Sequence, residues 1–561
     1  MNEKRTDPVE VALLLAIAFL AFLEYRLLLY AQYIMDEFLH SSWGGDIYFG
    51  VRPYVDYMPD KTQLGILFYG AAYRLCGAME NVLLINRHTA FLFVVLSLYV
   101  LFLLHRRVFA SARGGLWAVL WTLLCSTFRE HSFSVRVDMM ATGLALVGLY
   151  VFLQAGSRRG ALAGGLCLGA AFCTTQKSLY FIVAFAISFW LVYRRRSANP
   201  WKEFGRFAFG GLAAFGVYVA AFGHGGYYGN VVKATFLSEA ARSLALEGHY
   251  AGLSTFYWQT FSRNIPFYCL AFAGLGYALS RWRSERWEQN FFCCFSLVVL
   301  ALMAIHRDPW PYVFVMIVPL LGSYAGRVSD QIHEALRTSP RVLVVPVVAL
   351  LATAGIQQTV RNEDYAGVRC FPQLETVRAA ESVLGSRDTY FDGIRMVGTR
   401  RYGSSLVLQQ RLLNDLITNW ETQGPTFLDS LRTSECKVII YNYRLARLPK
   451  AFHEFLRNHY VLIDRNVFAS GCEATTSPAS CELIWPGEYG VLINGECRNV
   501  AIDGKPMTDL AGGIRLAAGR HHVTFEGNGA FLLIPAEAKR WMEDNRVERV
   551  VLPLFINVYE R

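Results

Sequence analysis

The sequence predicts a polytopic α-helical membrane protein that carries an exported C-terminal domain of α/β plus β character. Three observations predict it. Hydrophobic residues fill 54% of the 561 positions and charged residues only 17%, which is too apolar for a water-soluble chain of this length. The apolar residues cluster in runs such as Val11–Leu23, Thr89–Leu104, Ser178–Tyr193, Phe207–Phe222 and Val342–Ala354, and a helix needs ~20 mostly apolar residues to cross a bilayer. Past residue 358 the runs stop and soluble patterning takes over.

Taken in order, about eleven spans are expected, at 10–31, 85–104, 114–128, 138–154, 160–174, 178–193, 207–222, 264–280, 290–304, 312–326 and 341–357. The first is expected to be a true span. It runs on into Glu24 and Arg26 without the small-residue cleavage pattern of a leader. Glu24 and Arg26 lie two apart, share no helix face, and are expected to serve packing or the interface.

The short loops alternate in charge. Arg106-Arg107 with Arg113, Arg158-Arg159, Arg194-Arg195-Arg196 with Lys202 and Arg206, then Arg281, Arg283 and Arg286 occupy every second loop, and Arg327, Arg337 and Arg341 continue the series. Positive short loops mark the cytoplasmic side. The N-terminus, with Lys4 and Arg5, is therefore expected inside, in an inner (plasma) membrane, and an odd helix count puts the C-terminal residues outside. The expected domains are a membrane domain at 1–357, an exported α/β subdomain at 358–470 and a mostly-β subdomain at 471–561. The net charge of +10 belongs to this topology, so no nucleic-acid partner is expected.

Within the tail, Gln373–Leu384 and Lys450–Asn458 read as helices, and Val438–Tyr441 and Tyr460–Asp464 as strands. Residues 483–535 read as β, with turns at Asn494-Gly495 and Asp503-Gly504. Five of the twelve cysteines lie here (Cys370, Cys436, Cys472, Cys481 and Cys497), and an exported domain can form disulfides. Cys472 and Cys481, bracketing a Ser/Thr/Pro/Ala loop, are the first candidates for a pair, while the odd count of five leaves the assignment open and free buried thiols as the alternative. His521 and His522 alternate across a strand, which argues against a joint metal site.

The ionisable residues of the outer side are the candidate chemistry. Met35-Asp36-Glu37 follows the first span, then come Arg52-Pro53-Tyr54-Val55-Asp56-Tyr57 and Asp60-Lys61. Further loops hold Arg136-Val137-Asp138, Gln176-Lys177-Ser178 and His306-Arg307-Asp308. Charged groups at membrane depth mark function by default, although Lys177 also suits snorkelling to headgroups and Arg136 with Asp138 also suits a structural pair. Converging cations and carboxylates fit sugar transfer from a lipid phosphate. Cations hold the phosphate leaving group, and a carboxylate accepts the proton of the incoming hydroxyl or amine.

These stretches together resemble the GT-C superfamily of membrane glycosyltransferases. The likeness is nearest to the branch of lipid A aminoarabinose and galacturonic acid transferases, with protein O-mannosyltransferases as relatives. It is carried by Asp36-Glu37 with Gly50–Tyr57 and Lys61–Leu64, by Arg136-Val137-Asp138, by Gln176-Lys177-Ser178, and by Tyr312–Pro319, and it covers residues 1–330. Where relatives often have Pro-Pro-Leu after the lysine, this chain has Thr62-Gln63-Leu64.

The resemblance implies Asp36 as the essential carboxylate, Asp138 as a second acid and Glu37 as an orienting neighbour. It implies Lys61 and Lys177 near the donor phosphate. Arg136, His306, Arg307, Tyr54 and Asp56 are further expected donor-binding residues. The implied donor is a polyprenyl-phosphate-linked monosaccharide, attacked with inversion. The acceptor is a glycan, a protein or a membrane lipid such as lipid A. Some branches use a divalent metal and others do not; Asp36 and Glu37 are the residues that would hold one, and residue types alone leave this open. An oligosaccharide ligase or polymerase using a lipid pyrophosphate glycan remains the alternative, and a transporter or flippase a further one, although no internal repeat supports it.

Overall fold

The computed structural model describes residues 7–57, 59, 61–155, 158–238, 255–283, 285–306, 310–338, 369–403, 408, 410–495, 497–507 and 512–555. They pack as two units. The first comprises residues 1–31, 46–72 and 84–368, and the second residues 32–45, 73–83 and 369–561.

The first unit is helical. Helix α1 (Pro8–Tyr30) starts where Asp7 accepts the Val9 N–H at 3.0 Å and Pro8 fills a position that needs no donor. α2 (Met35–Tyr48), α3 (Leu64–Gly70) and α4 (Met79–Phe109) follow. Next come α5 (Ala112–Leu124), α6 (Ser126–His131), α7 (Val137–Ala155), α8 (Arg158–Thr174) and α9 (Leu179–Leu191). α10 (Pro200–Phe222), α11 (Tyr228–Lys233), α12 (Thr255–Arg263), α13 (Ile265–Ser280), α14 (Trp287–Ala304) and α15 (Val318–Thr338) complete the described part.

Among the described residues, six helical stretches are long and apolar enough to cross a membrane: Pro8–Tyr30, Met79–Phe109, Val137–Gln154, Gln176–Arg195, Pro200–Phe222 and Trp287–Ala304. Arg159–Thr174 and Ile265–Ser280 are shorter apolar helices. α8 and α10 approach closely at Gly165 and Gly210, where an added Cβ would collide with the opposing backbone, the small-residue packing that membrane helices favour.

Three departures from the expected spans have physical causes. The stretch 114–128 is broken at Cys125, whose extended ψ of 114° separates α5 from α6. The stretch 312–326 is a 3-10 turn (Pro311–Met316) followed by α15, because Pro319 can sit only in the first turn of a helix. The outer stretch 32–84 contains α2 and α3. The expected span 341–357 lies outside the described residues. Glu24, expected in packing, is fully buried, 3.7 Å from Arg129, and accepts the Ser132 hydroxyl.

The second unit joins an α/β layer to a β-sandwich. The strands β1 (Thr389–Phe391), β2 (Arg401–Tyr402), β3 (Cys436–Ile440), β4 (Tyr460–Asp464) and β5 (Val467–Ser470) form one sheet in the order β2-β1-β3-β5-β4. It is parallel on the β1 side and antiparallel at β5. Helices α16 (Phe371–Val383), α17 (Gln410–Thr418), α18 (Trp420–Thr433), α19 (Tyr443–Ala446) and α20 (Lys450–His459) accompany it. The strands β6 (Cys472–Ala474), β7 (Ala479–Leu483), β8 (Gly487–Asn494), β9 (Arg498–Ile502), β10 (Lys505–Pro506), β11 (Ile514–Leu516), β12 (Gly519–Glu526) and β13 (Ala530–Pro535) make two antiparallel four-stranded sheets. α21 (Ala536–Asp544) closes the order.

Cys472 and Cys481, the first candidates from the sequence, are bonded. β6 belongs to one sandwich sheet and β7 to the other, so the bond ties the two layers beside the core of Tyr489, Val491, Val523, Phe531 and Leu533. Replacing both cysteines with alanine frees a short loop and is expected to cost ~2–3 kcal/mol. Denaturant-dependent proteolysis of the full chain, with cleavage sites mapped to the sandwich, measures that loss.

Candidate active site

The site in the first unit forms where helix ends meet. Asp138 lies in the first turn of α7, where the helix dipole favours a negative charge. Its Oδ2 accepts from Arg136 Nε at 3.1 Å and its Oδ1 from Lys177 Nζ at 2.7 Å. Lys177 stands in the 3-10 turn Gln176–Ser178 between α8 and α9. The charge of Lys61 also acts on both Asp138 and Lys177. Tyr312, in the 3-10 turn before α15, turns its ring to the cations: Arg136 lies 3.3 Å and Lys177 4.9 Å from the ring centre. His306 is nearby in sequence and bonds through Nδ1 to the Tyr180 hydroxyl at 2.6 Å.

The segment bearing Lys61 is stitched onto this corner. Gln63 Nε2 donates to the Lys61 carbonyl at 2.7 Å. The Thr62 N–H donates to Gln176 Oε1 at 3.4 Å and the Gln63 N–H to the Tyr218 hydroxyl at 2.9 Å. Prolines at 62 and 63 would have no N–H to give. The departure from Pro-Pro is thus matched by two side-chain acceptors, Gln176 and Tyr218. Gly65 then lies against Val137 and Thr174 with no room for a Cβ, and the Tyr69 hydroxyl donates to the Arg136 carbonyl at 2.8 Å.

Arg136 and Lys177 both bond the Asp138 carboxylate, and the charge of Lys61 reaches it as well. Asp138 and Arg136 are each 2% exposed, whereas the Lys177 side chain is 25% exposed and Lys61 is half-buried. A partly accessible lysine at the edge of such a cluster suits an anion. Two residues along the same 3-10 turn, Phe314 enters the wall of an apolar groove of about 540 Å³, with Trp258, Phe261, Tyr268, Phe272 and Met303.

Two expected donor-binding residues stand apart from this cluster. Tyr54 is buried in a turn at φ 68°, with its hydroxyl on the Tyr218 hydroxyl and its N–H on the Tyr57 carbonyl at 2.8 Å. Asp56 accepts the Arg52 N–H at 2.7 Å at the exposed tip of the same loop. Both shape the loop. Arg307 lies outside the described residues. The sequence marks Tyr312 only through the family resemblance, and the Trp310-Pro311-Tyr312 turn beside His306 is the signal of its place at the cations.

Asp36 and Glu37 belong to the second unit. They occupy the first turn of α2, an end that favours carboxylates. Glu37 is fully buried and takes the Ile34 N–H at 2.9 Å, the return bond of a capping box. Asp36 is half-buried. Among the described residues, no three His, Cys, Asp or Glu side chains converge as metal ligands.

Removing the carboxylate of the buried cluster, as in Asp138→Ala, is expected to destabilise the protein by about 3–5 kcal/mol, because the buried Arg136 and its neighbour Lys177 both lose their bond to it. Lys177→Met leaves the Arg136–Asp138 bond in place and should cost less. Detergent-phase thermal aggregation of the two variants checks the order.

No protein-family model and no curated protein matches the sequence. Solved structures do match in shape. The apo structure of ArnT from Cupriavidus metallidurans has a TM-score of 0.57 at 12% identity, covering 82% of this chain and 98% of that one. The same enzyme bound to undecaprenyl phosphate gives 0.51 at 13% identity, over 81% and 97%. The oligosaccharyltransferase of Archaeoglobus fulgidus, tethered to an acceptor peptide, gives 0.51 at 11% identity, over 80% of this chain and 72% of that one. The shared feature at these identities is the fold, and with its apolar helices the chain is an integral membrane protein.

Proposed function

We propose that this chain, which has the GT-C fold of membrane glycosyltransferases, is an inverting glycosyltransferase. It moves a monosaccharide from a polyprenyl-phosphate donor to a lipid, glycan or protein acceptor on the outer face of the inner membrane. The observation that carries the reading is the pairing of Arg136 and the partly accessible Lys177 on Asp138, joined by one 3-10 turn to an apolar groove. Tyr312 and Phe314, two residues apart on one 3-10 turn, serve the charged corner and the groove respectively. A polyprenyl phosphate needs that combination of anion site and apolar channel, and the ArnT structure was bound to such a lipid.

In this reading Lys61, Lys177 and Arg136 hold the phosphate, and Asp138 holds Arg136 and Lys177 in place. The acceptor hydroxyl or amine attacks the anomeric carbon from the face opposite the phosphate. Its proton passes to Asp36, the carbon–oxygen bond to phosphate breaks, and the bonding pair leaves with the polyprenyl phosphate. Charge growing on the departing phosphate meets fixed cations, which stabilises the transition state more than the bound donor. The arginine-rich short loops support a cytoplasmic N-terminus, and the Cys472–Cys481 bond supports an exported C-terminal domain.

Mass spectrometry of lipids, glycans and proteins from a deletion strain should reveal one missing sugar, restored by the wild-type gene. Asp36→Asn should accumulate normally in the membrane and fail to restore it; full restoration by that variant would remove Asp36 from the mechanism. Loss of a whole repeat unit would favour the ligase reading. Lys177→Met should weaken undecaprenyl phosphate binding by about tenfold, the size of one charge-assisted contact of ~1.4 kcal/mol.

A further inference from the structure

The chain between α1 and Asp36 is held by residues more than 330 positions away. Tyr33 lies in the extended link before α2. The side-chain amide of Gln373, on α16, accepts the Tyr33 N–H at 2.8 Å and donates to the Tyr33 carbonyl at 2.8 Å. One side chain thus reproduces both bonds of a β-ladder rung, and the pair fixes the amide's orientation because only one assignment satisfies both. Gln373 is fully buried and Tyr33 is 2% exposed. Both polar ends of Gln373 go to this backbone and neither serves its own helix.

Other grips on the same segment come from the same unit. Gln32 Nε2 donates to the Leu554 carbonyl at 2.7 Å. The Met35 sulfur receives the Tyr443 hydroxyl at 3.3 Å and Arg444 Nη2 at 3.2 Å. The Ser42 hydroxyl donates to the Arg395 carbonyl at 2.6 Å. Arg395 itself is held at φ 63°, a left-handed backbone, because the Asp392 carboxylate takes the N–H groups of Ile394, Arg395 and Met396. The loop is over-determined, and its carbonyl is aimed at α2. These contacts lie on the turns that surround Asp36, and the Gln373 clamp grips the backbone itself, at Tyr33.

We propose that Gln373 is a positioning residue for Asp36. Through the Tyr33 backbone, three residues upstream, the C-terminal domain sets where the Asp36 carboxylate stands. This rests on the reading of Asp36 as the proton acceptor. Displacing a reacting group by ~1 Å can cost ~10²-fold in rate, so a clamp on the preceding backbone is a direct lever on turnover.

The test uses full-length protein in membranes, with the missing sugar of the deletion strain as the transfer readout and undecaprenyl phosphate binding as a second readout. Gln373→Met keeps the buried volume and removes both hydrogen bonds. Transfer should slow ~10–100-fold, with abundance and undecaprenyl phosphate binding unchanged. Gln373→Asn keeps the amide one methylene short and should fall between wild type and Gln373→Met; it carries the same test if Gln373→Met fails to accumulate. In an Asp36→Glu background, where the carboxylate is already displaced, the clamp variant should change the residual rate by less than about twofold. An equal loss in both backgrounds, or full transfer by Gln373→Met at normal abundance, overturns the proposal. Full transfer by Asp36→Asn overturns the underlying reading instead, and the two failures are thereby told apart.

Discussion

Burying the Asp138 carboxylate is the constraint around which the first unit is arranged. An ionised group at that depth is tolerated only when it is paired and hydrogen-bonded. The pairing draws three separate parts of the chain to one corner: the start of α7, the turn between α8 and α9, and the turn before α15. Each contributes from a helix end, where backbone polarity is already unspent. Tyr312 lays its ring face against both cations. Paired in this way, the buried carboxylate offsets part of the cost of its own burial.

The stretch between α1 and α4 serves two masters. Residues 46–72 pack with the helices and bring Lys61 to Asp138, while residues 32–45 and 73–83 pack with the C-terminal residues. Its local sequence shows why it divides. Thr62 and Gln63 donate N–H groups to Gln176 and Tyr218. By contrast, α2 buries Phe38, Leu39, His40, Ser41 and Ser42 almost completely, a pattern with no solvent face, and its partners include Phe555 and the loop at Arg395.

The parts of the fold legible in the sequence are those governed by local rules. Apolar runs of bilayer length located the long helices, although α4 and α10 begin six and seven residues before the expected spans, and the strand alternation around Asn494-Gly495 and Asp503-Gly504 located β8, β9 and β10. The cysteines of β6 and β7 were legible because a short polar loop separates them. The broken span at 312–326 was harder, since its apolar run continues unbroken across the 3-10 turn and only Pro319, in the first turn of α15, marks where the helix starts. α2 had no periodic signature because it is buried on most sides by residues distant in sequence. For the same reason the Arg136, Asp138 and Lys177 types could be named in advance, whereas their shared partner Tyr312 and the acceptors Gln176 and Tyr218 could not.

The adjacent carboxylates at 36 and 37 show how one turn of helix separates two chemically similar groups. Successive residues on a helix point about 100° apart, so one of the pair can face the protein while its neighbour faces outward. Glu37 has the longer stem and reaches back to the Ile34 N–H, closing the capping box and losing all exposure. A carboxylate spent on a helix start cannot approach a substrate without unmaking that start. Asp36 keeps part of its surface in contact with solvent, on a backbone held at Tyr33 and beside a Met35 side chain gripped through its sulfur. A proton acceptor needs both access to the incoming group and a fixed position. Of the two, Asp36 meets those requirements, and Glu37 meets the second by helping to supply it.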